Sequence, residues 1–221
     1  MPHAPTATCD LACGRGGDLG KIANVFPCTT HDCVDSSKDS IAELERRAKE
    51  LHIQVNAFCS DVLQYTMPTQ KYDVVCMNFA LHYFTTTQQT IHKLLRNVAN
   101  GLKPHGFFFG TCVDWRTLYH TNNACFNVQP QTLKNIENQP WGRTYRFTLP
   151  GCVNTDECVV HFPSLVAEAH KCGLNLVKHR GFNGFIQESI NNACEPCTPA
   201  CAHVNHNFIV FAFQKEDANT M

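Results

Sequence analysis

The chain has 221 residues, a formal charge of −1 and fourteen cysteines. That length points to one domain, with room for a large insertion and a core that needs no disulfide staples. Near-zero net charge excludes broad binding to nucleic acid by bulk charge, though not recognition of a single RNA end. The start of the chain lacks the basic flank and apolar stretch of a secretion signal. No segment reaches the ~20 apolar residues of a membrane helix. The cysteines sit in apolar strand-like runs, as Cys33, Cys59 and Cys76 do. They read as buried thiols in a reducing, intracellular compartment.

In chain order, an apolar strand over 7–11 runs into a glycine-rich turn at 13–18, and a helix follows over 19–25. A second strand over 28–34 ends at Asp35. Ser36 or Ser37 then caps a helix with Ile41, Leu44, Ala48 and Leu51 on one face. A third strand covers 53–58 and ends near Asp61. The near-continuous apolar run at 72–78 suits a strand covered on both faces. An amphipathic helix over 90–102 stops at Pro104, and a fifth strand covers 107–111. Strands alternating with helices predict an α/β fold: a mostly parallel sheet, Rossmann-like, with helices on both faces. The pattern changes over 114–163, where aromatic, Pro and Gly residues predict an insertion of antiparallel strands. A helix over 164–172, closed by Gly173, and strands over 174–178 and 208–213 complete the chain.

Glycines at a strand-to-helix turn let the backbone approach a ligand closely, and the helix N-terminus favours negative groups. The order here, Asp10-x-x-x-Gly14-x-Gly16-Gly17, is not the Gly-x-Gly-x-x-Gly of a dinucleotide site. Asp10, Asp35 and Asp61 fall at three successive strand ends. Asp35 can accept from two ribose hydroxyls and Asp61 from an adenine amino group. Three such acids fit S-adenosylmethionine better than a dinucleotide.

Several motifs resemble the mRNA cap guanine-N7 methyltransferases. The run DLACGRGGD at 10–18 is similar to that family's first motif, and NFALHY at 78–83 to its second. Trp141-Gly-x-x-Tyr145-x-Phe147-x-Leu149, then Glu157, then His161-Phe162-Pro163, resembles the insertion that covers the cap. FIVFAFQK at 208–215 resembles the closing strand. The resemblance runs from Thr8 to Lys215 and implies a single class I methyltransferase domain over 1–221, with a seven-stranded sheet. It implies methyl transfer from S-adenosylmethionine to guanine N7 at the 5′ cap of mRNA. Position by position, it implies that Asp10, Ala12, Gly14, Asp35, Asp61, Asn78 and Phe79 hold the cofactor. Arg15 and Arg47 would face the cap phosphates. His82, Tyr83, Phe147, Glu157 and Phe208 would surround the guanosine.

Guanine N7 carries a free lone pair and no proton, so no general acid or base is expected. Ala12 stands where the family has glycine, Val113 where it has proline and Phe208 where it has tyrosine. The family also has helices before the first strand, with an Asn-Asn and Lys element. Eight residues precede Cys9 here. A further segment, other capping-enzyme domains or an activating subunit would then supply that element. Two alternatives stay open: a catalytically impaired or partner-dependent subunit, and a methyltransferase for another nucleotide. The expected location is the nucleus, or a cytoplasmic factory if the protein is viral, with no membrane partner. Cys194, Cys197, Cys201 and His203 supply enough ligands for tetrahedral zinc, though an irregular loop with incidental thiols is the preferred reading.

Overall fold

A computed structural model describes residues 7–26, 30–118, 126–127, 133–149, 153–182, 184 and 207–217. The cysteine-rich segment with Cys194, Cys197, Cys201 and His203 lies outside them. Seven strands form one sheet. They are β1 (Ala7–Leu11), β2 (Thr30–Asp35), β3 (Asn56–Cys59), β4 (Tyr72–Asn78), β5 (Leu102–Val113), β9 (Leu174–Gly181) and β10 (Phe208–Lys215). Their order is β3-β2-β1-β4-β5-β10-β9. The first five are mutually parallel where they pair, and β10 runs antiparallel to both β5 and β9. The mostly parallel sheet of the sequence reading is therefore present. Strand order reverses beside β1, which has β2 on one side and β4 on the other. Ligands bind at such switch points, outside the carboxyl ends of the strands.

The two sheet faces bury different sets of side chains. Cys9, Leu11, Val75, Met77 and Phe108 share one face and join a core with helices α3 (Gln88–Gly101) and α5 (Phe162–Lys171). In α3 the buried Ile91, Leu94, Leu95 and Val98 recur at helical spacing. Each such apolar side chain contributes roughly 1.5–3 kcal/mol on burial. On the opposite face Cys33 packs with Leu19 of α1 (Leu19–Val25) and with Leu44 and Ala48 of α2 (Lys38–Glu50). Ser37 caps α2 by accepting from Ser40 N at 3.2 Å. Thr87 caps α3 by accepting from Thr90 N at 3.1 Å, so that helix starts earlier than the expected residue 90.

Leu102 leaves α3 with extended dihedrals and already pairs with Tyr72. Val74 pairs with Phe107, so residues 103–106 bulge between the two pairs. The sequence shows Pro104 as a helix stop, and the strand resumes where it predicted one, at Phe107.

The inserted region holds α4 (Trp115–Leu118), β6 (Phe126–Asn127), β7 (Thr144–Leu149) and β8 (Val153–Cys158). The three strands form a separate antiparallel sheet in the order β6-β7-β8. This sheet is anchored to the main one through a cluster of Val113, Leu118, Leu133, Ile136, Tyr145 and Val159. Among the described residues no helix is long and apolar enough to cross a membrane.

Candidate functional site

The residues expected at the cofactor lie along the carboxyl edge of β1, β2, β3 and β4. Asp10 is 4% exposed on β1. Burial pushes its carboxyl up to about 7. A bond from the Cys76 thiol opposes this, and the charges of Asp18 and Asp35 add to it. The chain then turns tightly, with φ of 54° at Ala12, 52° at Gly14 and 71° at Gly16. Gly14 N donates to Asp35 Oδ2 at 2.9 Å, and Ser37 N donates to Asp35 Oδ1 at 2.9 Å. The turn and the end of β2 are thus fixed to each other. A Cβ on Gly14 would meet nothing within 4 Å, so the backbone there opens onto free space. Asn78, at the end of β4, donates to Asp18 Oδ2 at 3.1 Å and accepts from Thr111 Oγ1 at 3.3 Å. Asp61 is exposed past β3, where its Oδ1 accepts from Leu63 N at 2.8 Å.

A cavity of about 350 Å³ lies where the inserted sheet meets the main one. It is lined by Phe79, His82, Tyr83, Phe147, Glu157 and Phe208, with Cys112, Val113 and Val153. All five residues assigned to the guanosine therefore line one cavity, and Phe79, assigned to the cofactor, lines it too. Phe79 sits at φ 53° and meets the edge of Phe208, ring centroids 5.2 Å apart at 89°. Its amide donates to Thr111 O at 2.9 Å. His82 and Tyr83 come from a 3-10 turn, Leu81–Tyr83, and their rings are 4.0 Å apart.

Glu157 is buried and its Oε2 accepts from the Tyr145 hydroxyl at 2.5 Å. His82 Nε2 lies 3.6 Å from Glu157 Oε1. Burial pushes the His82 imidazole down to about 4, so it is neutral at physiological pH. Its Nε2 is buried, with no hydrogen-bond partner among the described residues. An unsatisfied buried nitrogen is costly unless a ligand completes it. The cavity thus offers a fixed carboxylate acceptor and an unmatched imidazole between aromatic walls. That set suits the edge of a planar base.

The two arginines are placed differently. Arg15 is exposed on the glycine turn. Arg47 is bound to Glu43 Oε1 at 2.9 Å along the outer face of α2. The sequence reading did not single out Tyr145 for the site. An aromatic residue within an alternating strand reads as core, and only the pairing of β7 with β8 sets it opposite Glu157. Among the described residues no cluster of three or more potential metal ligands occurs.

The fold is that of class I methyltransferases. A solved S-adenosylmethionine-dependent methyltransferase from Clostridium acetobutylicum matches with a TM-score of 0.64 at 12% identity, covering 96% of this chain and 85% of that one. The N-methyltransferase NodS from Bradyrhizobium japonicum, solved with S-adenosyl-L-homocysteine, matches with a TM-score of 0.57 at 12% identity, covering 97% and 80%. Over residues 3–199 the chain matches the mRNA (guanine-N(7))-methyltransferase domain, and it belongs to that family. It is 28% identical to the mRNA cap guanine-N(7) methyltransferase of Drosophila melanogaster, over 83% of this chain and 49% of that protein. The Saccharomyces cerevisiae enzyme of the same name is 29% identical over 86% and 50%. The chain spans about half the length of these curated relatives.

Proposed function

We propose that this chain transfers a methyl group from S-adenosylmethionine to N7 of the guanine at the 5′ cap of mRNA. The observation that carries this reading is the pair of Glu157 and His82 in the aromatic cavity. Guanine presents two adjacent donors, N1–H and N2–H, and one acceptor, O6. The Glu157 carboxylate accepts from the two donors, and neutral His82 donates through Nε2 to O6. Adenine presents an acceptor at N1, a donor at N6 and only a C–H at C2, and would leave both side chains unmatched. Tyr83, Phe147 and Phe208 supply the walls against base and sugar.

The carboxyl edge fits the cofactor. Gly14 leaves room for close approach, Asp35 is held ready for ribose hydroxyls, and Asp10 lies beneath the turn where a cationic group would favour its ionised form. When bound, S-adenosylmethionine supplies a methyl group already activated on a sulfonium. The protein's task is then alignment. β4 ends at Asn78 on the cofactor side and continues directly into Phe79, which lines the base cavity. Orientation of this kind contributes as much as roughly 7–11 kcal/mol in favourable cases. No proton leaves N7, so no base is used. Glu157 also favours the positive charge that develops on the methylated ring.

Glu157→Gln tests this reading. The amide keeps one acceptor and sets a donor against guanine's own donors. Loss of a charged hydrogen bond is expected to lower kcat/KM for capped RNA about ten- to a hundredfold. Cofactor affinity by calorimetry should stay unchanged. Full methylation by that variant would refute the guanine assignment.

A further inference from the structure

Among the described residues, the Glu157 side chain takes its one hydrogen bond from the Tyr145 hydroxyl. It sits on β8, in a two-strand hairpin with β7 at the edge of the cavity, and burial works against its charge. Tyr145 is its direct cross-strand partner in the register of that hairpin. The Tyr145 ring is 3% exposed and belongs to the apolar cluster that anchors the inserted sheet. Its position is set by packing, and the hydroxyl therefore reaches Glu157 from a fixed point.

We propose that Tyr145 is a positioning residue for guanine recognition: its buried hydroxyl, donating to Glu157 Oε2, holds that carboxylate ionised and turned into the cavity. The inference rests on the reading of Glu157 as the guanine acceptor. A carboxylate oxygen has two acceptor positions, so Oε2 keeps one after binding Tyr145, and Oε1 keeps both. The phenol can serve as this donor across the working range, because burial and the Glu157 charge hold it protonated well above the usual tyrosine range.

The other titratable groups facing this cluster among the described residues are His82, Tyr83, Cys112 and Cys158. Burial keeps His82 neutral by lowering its pKa, and keeps the two thiols and Tyr83 neutral by raising theirs. None of them brings a positive charge to Glu157 at neutral pH. Burial raises the Glu157 carboxyl, and the Tyr145 bond lowers it. Removing the hydroxyl therefore raises the pH below which Glu157 is protonated. A protonated acid loses the paired acceptor that guanine needs.

The test is kcat/KM for capped RNA against pH in the wild type, Tyr145→Phe and Glu157→Gln. The acid limb of Tyr145→Phe should move to higher pH. Its loss at pH 6 should be about tenfold or more, with a smaller loss at pH 8 and unchanged cofactor affinity. An unmoved limb, or a loss equal at every pH, overturns the positioning role. A fully active Glu157→Gln would instead overturn the guanine reading itself, so the two failures are distinct. If Tyr145→Phe does not fold, fluorotyrosine placed at position 145 gives a stronger donor of the same shape. It should move the limb to lower pH, and no movement overturns the proposal.

Discussion

Asp10 and Ala12 show how local cost accompanies the glycine turn. Ala12 adopts φ 54°, a left-handed conformation that costs an alanine roughly 1–2 kcal/mol. The turn nonetheless closes, through Gly14 and Asp35. Asp10 carries a different cost. Its folded pKa, about 7, lies well above the ordinary carboxylate range. The group contributes stability that is fully present below the unfolded value and is lost as pH rises through about 7. Asp10→Asn should therefore stabilise the ligand-free protein, by a few kcal/mol at pH 8 and by less at pH 5. Urea unfolding at the two pH values measures the difference. An equal effect at both would contradict a raised carboxyl. The same substitution should weaken cofactor binding, since stability and function pull apart at such positions.

At the scale of elements, close approach of strands decides what β4 and β5 tolerate. A Cβ on Gly110 would lie 2.0 Å from Met77 O and 2.8 Å from the Phe211 ring. Gly110→Ala should push β4 and β5 apart and cost several kcal/mol, about the range reserved for severe core lesions. Thermal unfolding checks this, and a variant as stable as the wild type would contradict the pairing. Much of this architecture was legible in the sequence, because the apolar run of β4 and the helical spacing in α3 each admit one reading. The bulge at residues 103–106 was not. A proline after a helix signals a stop, and only pairing of Leu102 with Tyr72 reveals a strand already begun. Nor was the bond from Tyr145 to Glu157 legible, since it depends on hairpin register rather than on residue type. Asp32 likewise reads as an ordinary strand acid. It is buried among Lys71, Tyr72 and Asn56, at 2.6, 2.6 and 2.8 Å, from segments far apart in the chain.

Across the whole molecule, the two edges of the sheet are built for different tasks. The amino edge holds the Asp32 network, whose partners come from the start of the adjacent β3 and from the start of β4, two strands away. The carboxyl edge holds Asp35, Asn78 and the glycine turn, and beyond it the inserted sheet sets Glu157 beside His82. The family resemblance is carried by motifs that fall at strand ends, where the fold brings them to one edge. It could not show that Arg47 is engaged by Glu43, since side-chain pairing on a helix surface follows from neighbours rather than from motif. The most direct measurement is transfer of labelled methyl from S-adenosylmethionine to guanosine-capped and adenosine-capped RNA by the full chain, with the product nucleoside identified. Label in 7-methylguanosine from the guanosine-capped RNA, with none in the adenosine-capped RNA, is the predicted result. Equal labelling of both, or label on a ribose or a base other than the cap guanine, would contradict the account.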